Sequence, residues 1–74
     1  MNNVCCIHLE DQIDSIRASA IREELMYMPH VVNVEATRAH LQNMTVEFEK
    51  DFDVPMQVIR RLEKRHLHPD MLAC

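Results

Sequence analysis

Glycine is absent from this chain of 74 residues, and that gap removes several chemistries at once. The Gly-rich loops that cradle phosphates need backbone able to approach a ligand closely, so a mononucleotide site of that kind is excluded. Tight two-residue hairpin turns of the primed types are not expected either, because their central residues need positive φ. Tryptophan is also absent, and with two Phe and one Tyr there is little on which nucleic-acid bases could stack. A net charge of −4 argues in the same direction, against non-specific nucleic-acid binding. No run reaches the roughly 18 apolar residues that a membrane span needs. The opening MNNVCC has neither a basic region nor a long apolar segment, so no membrane insertion and no signal peptide are expected, and the expected location is cytoplasmic. The three cysteines are odd in number, and adjacent Cys5 and Cys6 are poorly placed to bridge each other. Reduced thiols, not a disulfide framework, are the expectation.

What is present describes an ordinary small globular domain, 47% apolar and 27% charged, spanning residues 1–74 with room for one modest core. Its organising stretch is ASAIREELMYMPHVVNV, Ala18 to Val34. Ala18, Ile21, Leu25 and Met28 form the apolar stripe of a helix that runs to about Met28, and Pro29 pushes the chain out of helical geometry. Upstream, Val4 to Leu9 alternates as a strand. Cys5, Ile7 and Leu9 share one face, expected to be the buried one, and Val4, Cys6 and His8 share the other. Glu10 to Ile13 is a polar connection, and Asp14 or Ser15 can cap the helix by accepting a bond from an unpaired amide.

Downstream, a second strand from Val31 to Arg38 is expected to face Val32, Val34 and Ala36 inward. A loose turn over Ala39 to Asn43 leads to a third strand with Met44, Val46 and Phe48 in and Thr45, Glu47 and Glu49 out. After the acidic loop Glu49 to Asp53, Asp53 or Val54 caps a second helix with Pro55 in its first turn, where a missing amide hydrogen costs little. Val58, Ile59 and Leu62 face inward and Arg60, Arg61, Lys64 and Arg65 outward, cations that suit the end of the helix macrodipole. Leu67 to Leu72, interrupted by Pro69, fits an edge strand or an extended tail. The order strand, helix, strand, strand, helix, strand predicts an α+β, ferredoxin-like βαββαβ two-layer sandwich, a four-stranded antiparallel sheet with two helices on one face. The first strand then lies between the third and fourth. Cys6 and His8 come near Glu47 on one side and the His68 segment on the other.

From Val4 to Met71 the chain resembles the heavy-metal-associated (HMA) domains of copper metallochaperones and metal-transporting P-type ATPases. The resemblance rests on the stripe Ala18, Ile21, Leu25, Met28, on MPHVVNV where that family has a Pro-Gly-Val-like turn, on VEFEKD in the third strand and on VIRRLEKRHL before the fourth. It implies metal binding, metal transport and a metallochaperone-like role. The family's Cys-x-x-Cys ligand motif is missing. Alignment on MPHV puts Asp14 and Arg17 at its two positions, neither of them a soft ligand for Cu(I). Where the family usually has Gly before the second and fourth strands, this chain has His30 and His66, and His is among the better tolerated residues at positive φ.

Relocated ligands are therefore the question. Cys5, Cys6 and Cys74 form one candidate thiolate set for zinc or copper, since an antiparallel fourth strand returns toward the start of the first. His8, His66 and His68, with Asp11 or Asp14, form a second of imidazole and carboxylate. Met26 and Met28 are thioethers, although a Met stripe at helical spacing is ordinarily core. Buried cysteines, solvated histidines and a helix cap account for the same residues without any metal. The basic row Arg60, Arg61, Lys64 and Arg65 is a candidate partner-docking face. Cys6 and His8 share one strand with no oxyanion donors evident, so no enzyme is expected. Two functions from different classes remain: a non-enzymatic metal-handling domain, and a metal-free module that binds a protein partner or its own copy through the sheet face or second helix.

Overall fold

The computed structural model describes residues 2–37 and 39–73. Its elements are β1 (Asn2–Leu9), α1 (Ser15–Met26), β2 (Val31–Ala36), β3 (Asn43–Glu49), α2 (Val54–Lys64) and β4 (Pro69–Ala73). The sheet is antiparallel with order β2-β3-β1-β4, so β1 is central as the element order predicted. Cys5 pairs with Val46 and Ile7 with Met44 across β1 and β3. These side chains, with Leu9, Val34 and Phe48, form the buried face of the sheet. Ala18, Ile21 and Leu25 cover it from α1 and Met28 from the turn that follows, and Val54, Val58 and Leu62 cover it from α2, with Leu67 just beyond. Among the described residues no polar or charged side chain is buried. Polar chemistry is therefore confined to the outer sheet face, the helix surfaces and the turns.

The helix ends follow from local chemistry. Asp14 caps α1, its Oδ1 accepting the Arg17 N–H at 2.7 Å. The helix stops at Met26, earlier than the periodicity predicts. The Tyr27 N–H is shared between the Glu23 and Glu24 carbonyls, and the Met28 N–H turns back to Leu25 O at 3.1 Å. Asp53 holds the cap position of α2, but its side chain makes no capping bond. With no glycine in the chain, left-handed backbone falls to His30 (φ 69), Asp51 (φ 76) and His66 (φ 63), each at a cost of about 1 kcal/mol relative to right-handed geometry. His30 recovers part of that cost locally. Its ring stacks on Phe52 with centroids 3.5 Å apart, and its Nδ1 lies 3.2 Å from Glu49 Oε2.

β2 departs from the expected alternation. Val31 opposes Phe48 while Asn33 opposes Glu47, so Val32 is the extra residue of a β-bulge. The bulge turns Val32 outward, where it is exposed, and lets Val31 pack against the core in its place. Arg38, the expected end of this strand, lies outside the described residues. Both sheet edges carry irregularities. Along β2, Arg22 Nε reaches over from α1 to donate to Val34 O at 2.8 Å. In β4, Pro69 opposes Leu9, and the step from Cys6↔Ala73 to Ile7↔Met71 leaves Leu72 as a second bulge.

Candidate functional site

Alternation along β1 separates the two adjacent cysteines. Cys5 points into the core and Cys6 lies half-buried on the outer face, so the two sulfurs leave opposite sides of the sheet. Cys6 is a free thiol flanked by Thr45 and Ala73. Cys5 is disulfide-bonded, which corrects the expectation of reduced thiols throughout and withholds its sulfur from metal in this state. Cys74 lies outside the described residues.

The histidines are arranged differently. His8, two residues along from Cys6, sits on the outer face between Asn43 of β3 and Asp70 of β4. Its Nδ1 is hydrogen-bonded to Asn43 Oδ1. Two pairs further on, past Leu9 and Pro69, the Glu10 N–H donates to His68 O at 3.1 Å, which carries the β1–β4 ladder past the end of both strands. This places His68 opposite Glu10, as Asp70 is opposite His8. The Asp11 carboxylate holds His68 at two points, Oδ2 accepting its backbone N–H at 2.7 Å and Oδ1 lying 2.9 Å from its Nδ1. The His68 hydrogen bonds, side chain first, hold the Asp11 carboxyl below its ordinary range. The same bond and the Asp11 charge push the His68 imidazole up. His8 and His68 thus share a corner with Glu10, Asp11, Asn43 and Asp70. His66 sits instead at the end of α2, where its N–H bonds Glu63 O at 3.0 Å.

Asp14 and Arg17, the two residues that the sequence resemblance sets against the missing Cys-x-x-Cys motif, are joined in the α1 cap. As the side chains stand, no three His, Cys, Asp or Glu among the described residues converge on a common point suited to a metal ion.

On the helix layer, Arg65 grips Glu24 with both ends of its guanidinium, through Nε to Oε2 and through Nη2 to Oε1 at 3.0 Å. The pairing lowers the Glu24 pKa and raises that of Arg65, and it ties the end of α2 to α1. The other three cations remain exposed. Arg60, Arg61 and Lys64, with Met28, Pro29 and Gln57, line a shallow groove of about 190 Å³.

No family model matches the sequence, and no curated protein matches it. Solved structures do match the fold. One, described as "Crosstalk between Cu(I) and Zn(II) homeostasis", superposes with a TM-score of 0.78 at 20% identity over 95% of this chain and 99% of that one. A second, described as "CsoZ metallochaperone", gives 0.73 at 14% identity over 97% and 99%. The ferredoxin-like fold is shared with both.

Sequence reasoning reached His8, His68 and Asp11 but passed over Glu10, Asn43 and Asp70. For Asn43 the signal was the β1–β3 register, and for Glu10 and Asp70 it was the β1–β4 register, on which Pro69 bears. A residue with no amide hydrogen on an edge strand belongs where its nitrogen faces away from the neighbour. Leu9, opposite Pro69, accordingly directs its own N–H to the other side, to Gln42 O at 2.8 Å.

Proposed function

We propose that this chain is a non-enzymatic domain that handles zinc or copper, working in the cytoplasm as a divergent relative of metallochaperone modules. The observation that supports the reading is the corner at the end of β1 that holds His8 and His68, carried on a fold shared with one structure described as "Crosstalk between Cu(I) and Zn(II) homeostasis" and another described as "CsoZ metallochaperone". The thiolate positions that the HMA resemblance points to are occupied by a helix cap, so any ligands are relocated. Catalysis has little support here, because the His8 ring is committed to Asn43 and not to Cys6. The test is a titration of the metal-free protein with Zn(II) and, separately, with Cu(I), each against a competing chelator. Saturable binding of at least one ion, tighter than about micromolar, is the expected result. Failure of both ions to compete overturns it.

A second reading is favoured by the basic groove. Three exposed cations beside an apolar Met28–Pro29 wall suit a metal-free module that docks an acidic protein surface or a second copy of this chain, whose charge complementarity would set the approach. Sedimentation in chelator over a wide concentration range tests its self-association form. A strict monomer counts against that form.

A further inference from the structure

The outer corner of β1 and β4 holds four side chains of metal-ligating type in two cross-strand pairs: His8 opposite Asp70, and Glu10 opposite His68. Residues directly opposite have Cβ atoms roughly 4.5–5.5 Å apart, and diagonal neighbours lie within reach of long side chains. The histidines are also alike in one respect that a merely solvated pair need not share. Each has its Nδ1 against an oxygen acceptor, Asn43 Oδ1 for His8 and Asp11 Oδ1 for His68. An Nδ1–H engaged in this way fixes the tautomer and leaves Nε2 as the free lone pair, the arrangement found behind metal-bound imidazoles.

Resting on the metal-handling reading, we infer that His8 and His68 bind one divalent ion of the zinc class through Nε2, with Asp70 and Glu10 completing the coordination from the facing strand. Nitrogen and carboxylate donors with no sulfur suit Zn(II) and disfavour Cu(I). The four groups do not converge as the side chains stand, so binding requires rotation about the side-chain torsions of Glu10 and Asp70, both of which are exposed. The backbone pairs already set the spacing. A site of this kind, open on the solvent side, exchanges its ion readily.

The experiment is chelator-competition titration of the whole chain with Zn(II) and with Cu(I), followed by side-chain ¹⁵N shifts of the imidazoles. Zn(II) is expected to shift the Nε2 resonances of His8 and His68 and to leave those of His40 and His66 in place. Because losing a second-shell partner alone costs about 10–100-fold in affinity, His8→Gln with His68→Gln is expected to weaken Zn(II) binding by at least about 100-fold. His66→Gln should leave it within about twofold. Asp70→Asn, on an exposed side chain, supplies a variant that keeps the test sound should the double variant fold poorly, and it is expected to weaken binding severalfold. Equal Zn(II) affinity in the parent and the variants overturns the site while leaving metal handling intact. Binding of Cu(I) without Zn(II) does the same. Binding of neither ion overturns both.

Discussion

The two faces of this sheet are built from alternate residues of the same strands, and they answer to different constraints. On the face under the helices, Cys5, Ile7, Leu9, Val34, Met44, Val46 and Phe48 are all buried, and each must fill a fixed volume against α1 or α2. On the opposite face, Cys6, His8, Thr45 and Glu47 are half-buried and Asp70 is exposed. Period-two alternation lets the second set change chemistry without disturbing the first. A fold of this kind can thus keep its architecture while the chemistry of its outer face varies, provided that its inner face keeps its volumes.

Perturbing the inner layer should have the largest effect. Leu62→Ala removes a fully buried side chain of α2 and should cost about 2–5 kcal/mol, a large share of the roughly 5–15 kcal/mol typical of a whole domain. Urea unfolding followed by circular dichroism measures it, and a loss under about 1 kcal/mol would erase the contrast between the faces. The two helix starts sharpen the comparison at a smaller scale. Asp14→Ala deletes a capping bond seen at 2.7 Å and should cost about 1 kcal/mol. Asp53→Ala, at a cap position with no such bond, should cost clearly less in the same assay.

Next come the left-handed turns. His66→Gly relieves positive φ and should stabilise by up to about 1 kcal/mol, reduced by the greater freedom of Gly in the unfolded chain. His30→Gly should gain less, because it also loses the ring stack on Phe52. The Glu24–Arg65 pair is partly exposed, so solvent screening limits Glu24→Gln to about 0.5 kcal/mol at neutral pH. Its pH dependence has a definite sign. The Glu24 pKa is lowered from its ordinary 4.5, so its contribution is present above that value and lost as pH falls through the lowered folded pKa. Parent and variant unfolding curves should therefore converge in acid and separate toward neutrality. Smallest of all, Glu47→Gln on the outer face should stay within about 0.5 kcal/mol.

The core was legible because its signals are local and periodic. Met44, Val46 and Phe48 announce a half-buried strand, Ala18, Ile21 and Leu25 a helix, and Asp14 or Ser15 its cap, of which the structure uses Asp14. The bulge at Val32 left no trace in the hydropathy, since Val31, Val32 and Val34 are equally apolar and only pairing with β3 decides which of them turns out. The end of α1 escaped for a related reason: Met28 is core, yet it is held by a turn after the helix and not by the helix itself. For the corner site, His8 and His68 could be picked out as residue types. The contacts that orient them, from Asn43 and Asp11, span 35 and 57 positions of sequence and follow only from the register. Cys5 was placed correctly on the inner face, while its disulfide state contradicted an expectation drawn from the odd number of cysteines and the adjacency of Cys5 and Cys6.

An open four-stranded sheet has two unpaired margins, each a template on which another chain could grow a fibril. In this molecule one margin has Arg22 laid across the Val34 carbonyl and a twist at Val32, and the other has Pro69 and a twist at Leu72. Such devices spoil continuous backbone pairing. The consequence is colloidal: at high concentration this domain should meet its neighbours through side-chain surfaces that separate again, and its soluble fraction should persist where a flat, unguarded sheet would seed insoluble cross-β growth.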